Sequence, residues 1–197
     1  YRFVIFTCPV GPYYKGNVRV KVETEYTRAA PGGTGFAKAA GNYGAALRPT
    51  ELAKAQGYDQ ILWTDAVEHK YIEESGTMNA VFVMDGKLVS PALGDTVLNG
   101  VTRASILKLA RHFGLEVEER RIGVSELKAA AESGALQEAF GVGTAATMTA
   151  IEAIGFVGGD VELPPVEGWT IMPKLAKGLD DIRRGRAEDP FGWRIVL

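Results

Sequence analysis

The sequence predicts a mixed α/β domain. VRVKV at residues 18–22 alternates apolar and polar residues, as a half-buried strand does, whereas ILKLARHF at 106–113 repeats apolar residues with the period of an amphipathic helix. Segments of both kinds follow one another along 197 residues, of which 46% are hydrophobic. A chain of this size and composition can bury one sizeable core, either as a single domain or as a large domain with an appendage.

Strands predominate in the first half of the chain. RFVIFTCPV and VRVKVETEYTRA are predicted strands, separated by the turn GPYYKGN. NYGAALRPTELAKAQGY suits a helix that ends near Gly57 and is bent or restarted at Pro49. QILWTDA is a short predicted strand, and YIEESGTMNAVFVMDGKLVS is predicted to form two strands joined at Asp85 and Gly86.

The second half contains the clearest helix. LNGVTRASILKLARHFGLEV offers Thr102 as an N-cap and Gly114 after the last turn. VEERRI predicts a strand, and VSELKAAAESGAL predicts a helix capped by Ser125. EAFGVGTAATMTAIEAIGFV holds a glycine-rich turn inside apolar sequence. The chain closes with an amphipathic helix in PKLAKGLDDIRRGRAED and a short strand, WRIVL.

Composition and charge exclude several classes of function. Lys+Arg (22) nearly balances Asp+Glu (24), so we expect neither nucleic acid nor an anionic membrane as a partner. Apolar runs such as AVFVM are too short to span a bilayer. The single cysteine, Cys8, excludes an internal disulfide and favours a reducing, cytoplasmic location. The chain opens as a strand already under way, and we expect part of the natural protein to precede Tyr1.

Lys38 stands among small residues in PGGTGFAKAAGNYGAAL, residues 31–47. A surface lysine on an alanine-rich helix is the alternative, but each glycine in this stretch would cost such a helix about 1 kcal/mol. Dense glycine more often marks the close approach of a ligand or of other backbone. A lysine in a tight, partly desolvated pocket has a lowered pKa, and its neutral amine can attack a carbonyl. The stretch therefore predicts Schiff-base chemistry at Lys38.

Glu74 is predicted to lie on an apolar strand face. Strand parity places it with Ile72, whereas Glu73 falls on the face of Tyr71. Both glutamates could instead be exposed at a strand end. A carboxylate on an apolar face is costly unless a cation or a strong donor meets it. We therefore expect a buried cationic partner for Glu74, such as a protonated heterocyclic nitrogen.

Two turns offer backbone donors to an anion. Gly100, Val101 and Thr102 open the clearest helix, where backbone N–H groups hold phosphate, and Gly143 and Thr144 add a second turn with a hydroxyl. Each turn alone is a weak signal. Together with an isolated lysine and a buried carboxylate, they predict a site for a phosphorylated aromatic aldehyde such as pyridoxal 5′-phosphate.

The motifs GGTGFAKAAGNYG, EESGTMN, LNGVTR and GVGTAA, in this order, closely resemble those of the branched-chain amino-acid aminotransferases, which are fold-type IV pyridoxal-phosphate enzymes. CPVGPYY near the start and IRRGRAEDPFGWRIVL at the end resemble the same family, so the resemblance covers essentially the whole chain. It implies the large-domain pseudo-barrel of the D-amino-acid aminotransferase-like enzymes. Residues 1–197 would form the C-terminal, cofactor-binding domain of such a protein.

The resemblance implies a role for each matching residue. Lys38 would hold the cofactor as a Schiff base and shuttle a proton, Tyr43 would hydrogen-bond the phenolic oxygen, and Glu74 would pair with the pyridine nitrogen. The other implied cofactor residues are Thr77, Leu98 on the ring, and Gly100, Val101, Thr102, Gly143 and Thr144 at the phosphate side. The implied substrate residues are Tyr13 at the side-chain pocket, and Thr77, Thr144 and Ala145 near the carboxylate.

The resemblance also implies parts that this chain does not supply. A smaller N-terminal domain, as a separate chain or a disordered segment, would give an arginine to the phosphate and part of the substrate pocket. The family's active sites borrow residues across a dimer, so a homodimer is expected. Some members carry a CxxC redox pair where this chain has Ala146 and Thr149, so no thiol switch is expected. His69 and His112 match no catalytic position.

The implied reaction is transamination from leucine, isoleucine or valine to 2-oxoglutarate. A D-amino-acid aminotransferase or an aminodeoxychorismate lyase would use the same lysine and glutamate on the same fold. A cofactor-binding fragment that is not catalytic by itself is an alternative of a different class. A pure interaction module would leave Lys38, Tyr43 and Glu74 without a purpose. No metal site is predicted.

Overall fold

A sheet of nine strands and five helices form the part of the chain that this computed structural model describes, residues 2–9, 11, 14–144 and 147–195. The strands are β1 (Val18–Val22), β2 (Gln60–Thr64), β3 (Ile72–Ser75), β4 (Met78–Met84), β5 (Lys87–Pro91), β6 (Val117–Arg120), β7 (Leu136–Gly143), β8 (Thr147–Phe156) and β9 (Gly159–Glu162). The helices are α1 (Gly41–Gly44), α2 (Leu47–Ala55), α3 (Val101–His112), α4 (Val124–Ser133) and α5 (Ile171–Arg183).

Six of these strands close into a ring. They pair in the order β3-β2-β1-β8-β7-β4, and β4 pairs again with β3, which completes a barrel. β1 runs parallel to β2 and β8, and the other pairings in the ring are antiparallel. β5 and β6 extend the sheet from β4, and β9 extends it from β8. The predicted mixed α/β class is confirmed, with the barrel that the resemblance implies.

β4 is buried on both faces, which explains its uninterrupted apolar sequence. Ala80, Phe82 and Met84 belong to a core cluster that includes Leu127 of α4. The alternate residues Val81 and Val83 belong to a second cluster, which α3 and α5 cover. A strand covered on both faces needs apolar residues at every position rather than at alternate ones.

The two terminal strands predicted from the sequence are wrong for the described residues. Residues 2–9 and 193–195 adopt no strand, and Phe3, Val4, Ile5 and Phe6 are 70–90% exposed. A strand needs the backbone of a neighbour to take its hydrogen bonds, and no described strand pairs with either segment. Apolar composition alone therefore does not make these segments strands.

The stretch 71–90 forms three strands rather than the predicted two. Besides the expected turn at Asp85 and Gly86, a second turn separates β3 from β4 at Gly76 and Thr77. Gly76 has a φ of 50°, and a Cβ there would lie 2.0 Å from Oε1 of Gln60. Glycine both permits the turn and leaves room for the neighbouring side chain. This turn places Glu74 beside Asn79 in the sheet.

Two helix starts also differ from prediction. Gly100 and Gly123, each with an extended backbone, are the N-caps of α3 and α4, in place of Thr102 and Ser125. Each helix therefore begins earlier than expected. At α4, Glu126 reaches back to accept a hydrogen bond from the backbone N–H of Gly123 at 3.2 Å. This is the contact that a glutamate at the third helical position makes in a capping box, and it satisfies the N–H of the N-cap residue.

The remaining predicted elements are present with different ends: the strand predicted over VRVKVETEYTRA stops at Val22, the closing helix ends at Arg183, and β9 was not predicted. Pro49 restarts the first helical segment, because α1 ends at Gly44 and α2 holds Pro49 in its first turn, where no backbone N–H is needed. None of the helices in the described part of the chain is long and apolar enough to cross a membrane. The assignment of residues 1–197 to a C-terminal cofactor-binding domain stays a prediction.

Candidate active site

A cavity of about 240 Å³ lies where the Lys38 loop, the start of α3 and the β3–β4 and β7–β8 turns meet. All ten residues predicted to bind the cofactor line it: Lys38, Tyr43, Glu74, Thr77, Leu98, Gly100, Val101, Thr102, Gly143 and Thr144. Pockets for drug-sized ligands measure about 300–1,000 Å³, so this cavity suits one smaller molecule. The structure brings the ten side chains and backbones together, and the role of each stays a prediction.

Two predicted substrate residues, Tyr13 and Ala145, lie outside the described residues. The same holds for Ala146, the first position compared with the CxxC pair. Neither histidine lines the cavity. His69 Nδ1 lies 3.0 Å from Oγ1 of Thr64, and the His112 ring contacts Phe191 edge-on.

The loop that carries Lys38 is held by the side chain of Asn42. Its amide nitrogen donates to the carbonyl oxygens of Thr34 and Ala37 at 2.9 and 2.8 Å, and its Oδ1 accepts from the Thr34 hydroxyl at 2.8 Å. The loop also packs tightly at Gly35, where a Cβ would lie 2.7 Å from the Cα of Thr96. Small residues in this stretch therefore permit a close backbone crossing.

The expected desolvation of Lys38 is wrong for the structure described. The side chain is exposed at the mouth of the cavity, and Tyr43 beside it is 41% exposed. The loop that carries Lys38 therefore does not desolvate its side chain. The many small residues correctly indicated that the backbone packs closely against other backbone. Close backbone packing does not by itself bury the long side chain of Lys38.

Glu74 lies in the wall of the cavity with its carboxylate buried. Ile72 and Glu74 are 2% and 5% exposed, whereas Tyr71 and Glu73 are half-buried, so the predicted parity is confirmed. Glu74 Oε2 accepts a hydrogen bond from the backbone N–H of Leu98 at 3.0 Å. Oε1 lies 3.2 Å from Nε of Arg28.

Arg28 is a charged site residue that the sequence did not reveal. Its side chain and that of Glu74 are each 7% exposed, and it lines the same cavity. Its Nη2 donates to the backbone oxygens of Thr96 and Gly35. The Nε–H makes no hydrogen bond to any described residue, so its approach to Glu74 is an ion pair without hydrogen-bond alignment. The only signal was an arginine just before a run of small residues, in TRAAPGG.

The pKa of Glu74 is raised from 4.5 to about 7. Burial is the largest cause, because it disfavours the charged form. The charge of Arg28 and the hydrogen bond from Leu98 lower the pKa but do not cancel the effect of burial. Burial also raises the pKa of Glu73, against a hydrogen bond from the Thr96 hydroxyl. Near neutral pH, Glu74 can thus exchange a proton with a ligand.

The segment before α3 is fixed to the cavity wall by Asn79. The Asn79 amide nitrogen donates to the carbonyl oxygen of Leu98 at 2.8 Å, and the Gly100 N–H donates to the same oxygen at 2.9 Å. A Cβ on Gly100 would lie 2.3 Å from Oδ1 of Asn79, so a larger residue here would displace the Asn79 side chain. This turn presents the first N–H groups of α3 to the cavity, and such groups have no acceptor within the helix. They form a donor set for an anion.

The cavity therefore combines an amine at its mouth, a buried carboxylate in its wall and a helix N-terminus. These groups suit the aldehyde, the ring nitrogen and the phosphate of pyridoxal phosphate respectively. Among the described residues, no group of three or more His, Cys, Asp or Glu side chains is placed to hold a metal ion.

Comparison with known sequences identifies the family that the motifs resemble. The family model for class IV amino-transferases matches residues 4–154 of the chain. Branched-chain-amino-acid transaminase 1 of Bacillus subtilis (strain 168) is 45% identical over 201 residues, which covers 100% of this chain and 56% of that protein. The chain thus spans little more than half the length of this relative.

Comparison with solved structures confirms the predicted fold. The branched-chain aminotransferase of Thermoproteus uzoniensis, solved with norvaline, has a TM-score of 0.79 at 31% identity, covering 94% of this chain and 58% of that one. The T.th. branched-chain amino acid aminotransferase, complexed with N-(5′-phosphopyridoxyl)-L-glutamate, has a TM-score of 0.71 at 26% identity, covering 90% and 55%.

Proposed function

This chain belongs to the class IV aminotransferase family, and we propose that its protein is a pyridoxal-phosphate-dependent branched-chain amino-acid transaminase. It would transfer the amino group of leucine, isoleucine or valine to 2-oxoglutarate. The observation that carries the proposal is the meeting of Lys38 and Glu74 at one small cavity. Two side chains far apart in sequence can then act on the same molecule.

The residues present fit the cofactor. Bound pyridoxal phosphate supplies an aldehyde that takes up an amino group and a ring that withdraws electrons from the substrate Cα. The Lys38 amine would hold the aldehyde carbon, and the first N–H groups of α3, with Thr102 and Thr144, would hold the phosphate. The Tyr43 hydroxyl would donate to the phenolic oxygen.

Glu74 and Lys38 would divide the proton chemistry between them. A carboxylate whose pKa lies at about 7 can hold a proton on a ring nitrogen near neutral pH. Lys38 Nζ, at the open side of the cavity, would take the proton from the substrate Cα and return it on the cofactor side. Thr77 would lie near the substrate carboxylate.

The substrate assignment is supported by the relatives. The 45% identical relative is named for branched-chain amino acids, and the T.th. relative was solved with a phosphopyridoxyl derivative of glutamate. Glutamate is the product expected when 2-oxoglutarate accepts the amino group. One pocket would then accept an aliphatic and an acidic side chain in alternate half-reactions.

Borohydride reduction of the complete, cofactor-loaded protein tests the cofactor assignment. Peptide mapping should find the reduced cofactor on Lys38, and Lys38→Ala should abolish both the adduct and turnover. Lys54, an exposed lysine on the neighbouring helix, gives the matched control Lys54→Ala, which should keep the adduct. An adduct on another lysine, or none, would overturn the assignment.

Comparing substrates tests the reaction. L-leucine should convert the bound cofactor to its amine form, as followed by absorption, and 2-oxoglutarate should reverse the change. D-alanine and aminodeoxychorismate should be at least about 10²-fold slower in kcat/KM, a difference of about 3 kcal/mol. Faster conversion of either would favour the D-amino-acid aminotransferase or the lyase instead.

A second candidate is that this chain binds the cofactor but does not turn over substrate by itself. The exposure of Lys38 favours it, because water at the amine weakens electrostatic contacts and admits side reactions. Residues 1–197 alone should then bind pyridoxal phosphate and form the Lys38 adduct, without measurable transamination. Turnover by residues 1–197 at the rate of the complete protein would exclude this candidate.

The location and assembly of the protein are part of the same proposal. A single cysteine in 197 residues is typical of a reducing compartment, which supports a cytoplasmic location. The resemblance to branched-chain aminotransferases supports a homodimer. Light scattering of the complete protein would give twice the chain mass for a dimer, and the mass of one chain would contradict it.

A further inference from the structure

We propose that Arg28 is a positioning residue whose positive charge favours the ionised form of Glu74 and holds its carboxylate in the cavity wall. The proposal rests on the function proposed above, in which an ionised Glu74 holds the proton of the ring nitrogen. Its test, however, uses the cofactor-free protein. Failure of the transaminase assignment and failure of the role of Arg28 are therefore distinguishable.

The first step is that the two charges are buried together. Arg28 Nε and Glu74 Oε1 are 3.2 Å apart, and each side chain is only 7% exposed. A buried carboxylate without a cation is strongly disfavoured, and the opposite charge at this distance favours its ionised form. Arg28 is the largest of the influences that lower the pKa of Glu74.

The second step is that the guanidinium cannot readily turn away from Glu74. Nη2 of Arg28 donates to the backbone oxygens of Gly35 and Thr96, which belong to two different loops. One of these loops carries Lys38. Arg28 thereby connects the loop that carries the amine with the strand that carries the carboxylate.

The third step is a contrast with a second buried arginine. Arg103 of α3 donates to Ser90 Oγ, to the Pro91 carbonyl oxygen and to Glu119 Oε2, and thus fastens α3 to the sheet. Arg28 Nε, in contrast, makes no hydrogen bond within the described part of the chain, although it lies beside a carboxylate. The contribution of Arg28 to Glu74 is therefore its charge rather than a directed hydrogen bond.

The other charged groups that face Glu74 are few. Glu73, the preceding residue on β3, raises the pKa of Glu74, and Lys38 lowers it from the loop across the cavity. Lys38 has a smaller influence than Arg28, and its side chain is exposed. Removing Arg28 would leave Glu74 with a like charge beside it and one exposed cation across the cavity.

Infrared difference spectroscopy of the cofactor-free, complete protein tests the proposal. The band of the protonated Glu74 carboxyl is identified by its loss in Glu74→Gln and is followed through a pH titration. Arg28→Met should move the midpoint upward by one pH unit or more, about a tenfold increase in the protonated-to-ionised ratio at pH 8. Arg28→Lys, which keeps the charge, should stay near the natural protein.

An unchanged midpoint in Arg28→Met would overturn the proposal. So would equal shifts in Arg28→Lys and Arg28→Met, because the effect would then not depend on charge. Arg103→Met is the matched control, since it also removes a buried, ion-paired arginine but should leave the midpoint of Glu74 in place. A shift as large in Arg103→Met would assign the effect to general loosening of the fold.

Arg28→Met could fail to fold, and a double variant then decides. Removing one partner of a buried ion pair is destabilising chiefly because the other charge is left unpaired. Arg28→Met combined with Glu74→Gln leaves neither charge, so it should recover folding as followed by circular dichroism. Failure of the double variant to fold would show that Arg28 serves the fold independently of Glu74.

Discussion

Asp65, just after β2, is a partly buried carboxylate, and Glu74, in the adjacent strand β3, is a buried one; their environments differ. Asp65 accepts four backbone hydrogen bonds, from Val67, Glu68, Lys70 and Tyr71, at 2.7–3.3 Å. Glu74 accepts one, from Leu98, and pairs with Arg28. Burial raises the pKa of both carboxyls, yet the four hydrogen bonds bring Asp65 to about 2, while Glu74 stays at about 7.

The difference indicates that Asp65 serves the structure of a turn, whereas Glu74 is available for chemistry with a ligand. The oxygens of Asp65 are fully used to fold the turn between β2 and β3, so its charge is stabilised and its proton is lost at any ordinary pH. Glu74 Oε1 has no hydrogen-bond donor among the described residues and lines the cavity. A group whose pKa is displaced towards neutrality by burial in a cleft marks a functional site.

The largest expected effect is on activity, which should depend on Glu74 and not on Asp65. Glu74→Gln should lower kcat/KM for L-leucine by about 10²–10³-fold, equivalent to about 3–4 kcal/mol, because an amide cannot hold the proton of the ring nitrogen. Asp65→Asn should change it by less than about twofold. Steady-state kinetics of the complete protein at pH 8 would check both. Equal losses in the two variants would remove the distinction.

The second effect concerns the stability of Glu74→Gln: the substitution that lowers activity should raise the free energy of unfolding. The folded-state pKa of Glu74 is raised, so its protonated form contributes stability that is fully present below pH 4.5 and is lost as the pH rises to about 7. Glu74→Gln is permanently neutral, and it should raise the free energy of unfolding at pH 8 by up to about 3 kcal/mol. Near pH 4 the gain should vanish.

Denaturant unfolding of the cofactor-free protein at several pH values measures this gain. Glu51→Gln, at an exposed glutamate on α2, is the control and should show no gain at any pH. A loss of stability at pH 8 in Glu74→Gln would mean that the ion pair with Arg28 outweighs the cost of burial.

Asp65 should show a smaller change with the reverse dependence on pH. Its folded-state pKa is lowered, so the carboxylate contributes stability above about pH 3.8 that is lost as the pH falls through about 2. Asp65→Asn should lower the free energy of unfolding at pH 7 by about 1–2 kcal/mol, because the amide nitrogen faces backbone donors. Urea unfolding should show this deficit shrinking towards pH 2, and a constant deficit would contradict it.

The smallest effect should come from the like charge beside Glu74. Glu73→Gln removes a carboxylate that raises the pKa of Glu74, and the amide can still accept from the Thr96 hydroxyl. The Glu74 midpoint should therefore move to lower pH by a fraction of the Arg28→Met displacement, as measured by the same infrared titration. Glu68→Gln, in the Asp65 turn, should leave it in place.

Much of the site could be predicted because its signals are local. Lys38 stands out by its small neighbours, Glu74 by strand parity, and Gly100 by its place before a periodic helix. Each of these signals lies within a few residues of the side chain concerned. The cavity they line follows once the strands close into a ring.

What the sequence could not predict depends on partners distant in the chain. The ion pair of Arg28 with Glu74 exists only because the segment after β1, which holds Arg28, lies next to β3 in the fold. The terminal segments look like strands by composition, but strand formation depends on a neighbouring backbone. The exposure of Lys38 likewise depends on what lies across the cavity, and no pattern around residue 38 contains that information.

β4, whose first residues line the cavity, is held by neighbouring strands and by both core clusters. Its first residues pair with β3 and its last with β5, β7 runs along its length, and both core clusters pack against it. Segments that open locally are those with few buried contacts. Because β4 has many, its backbone amides should exchange with heavy water only when the whole domain unfolds. Asn79, which pairs with both β3 and β7, should therefore keep its position at the cavity even when less buried parts of the domain open locally.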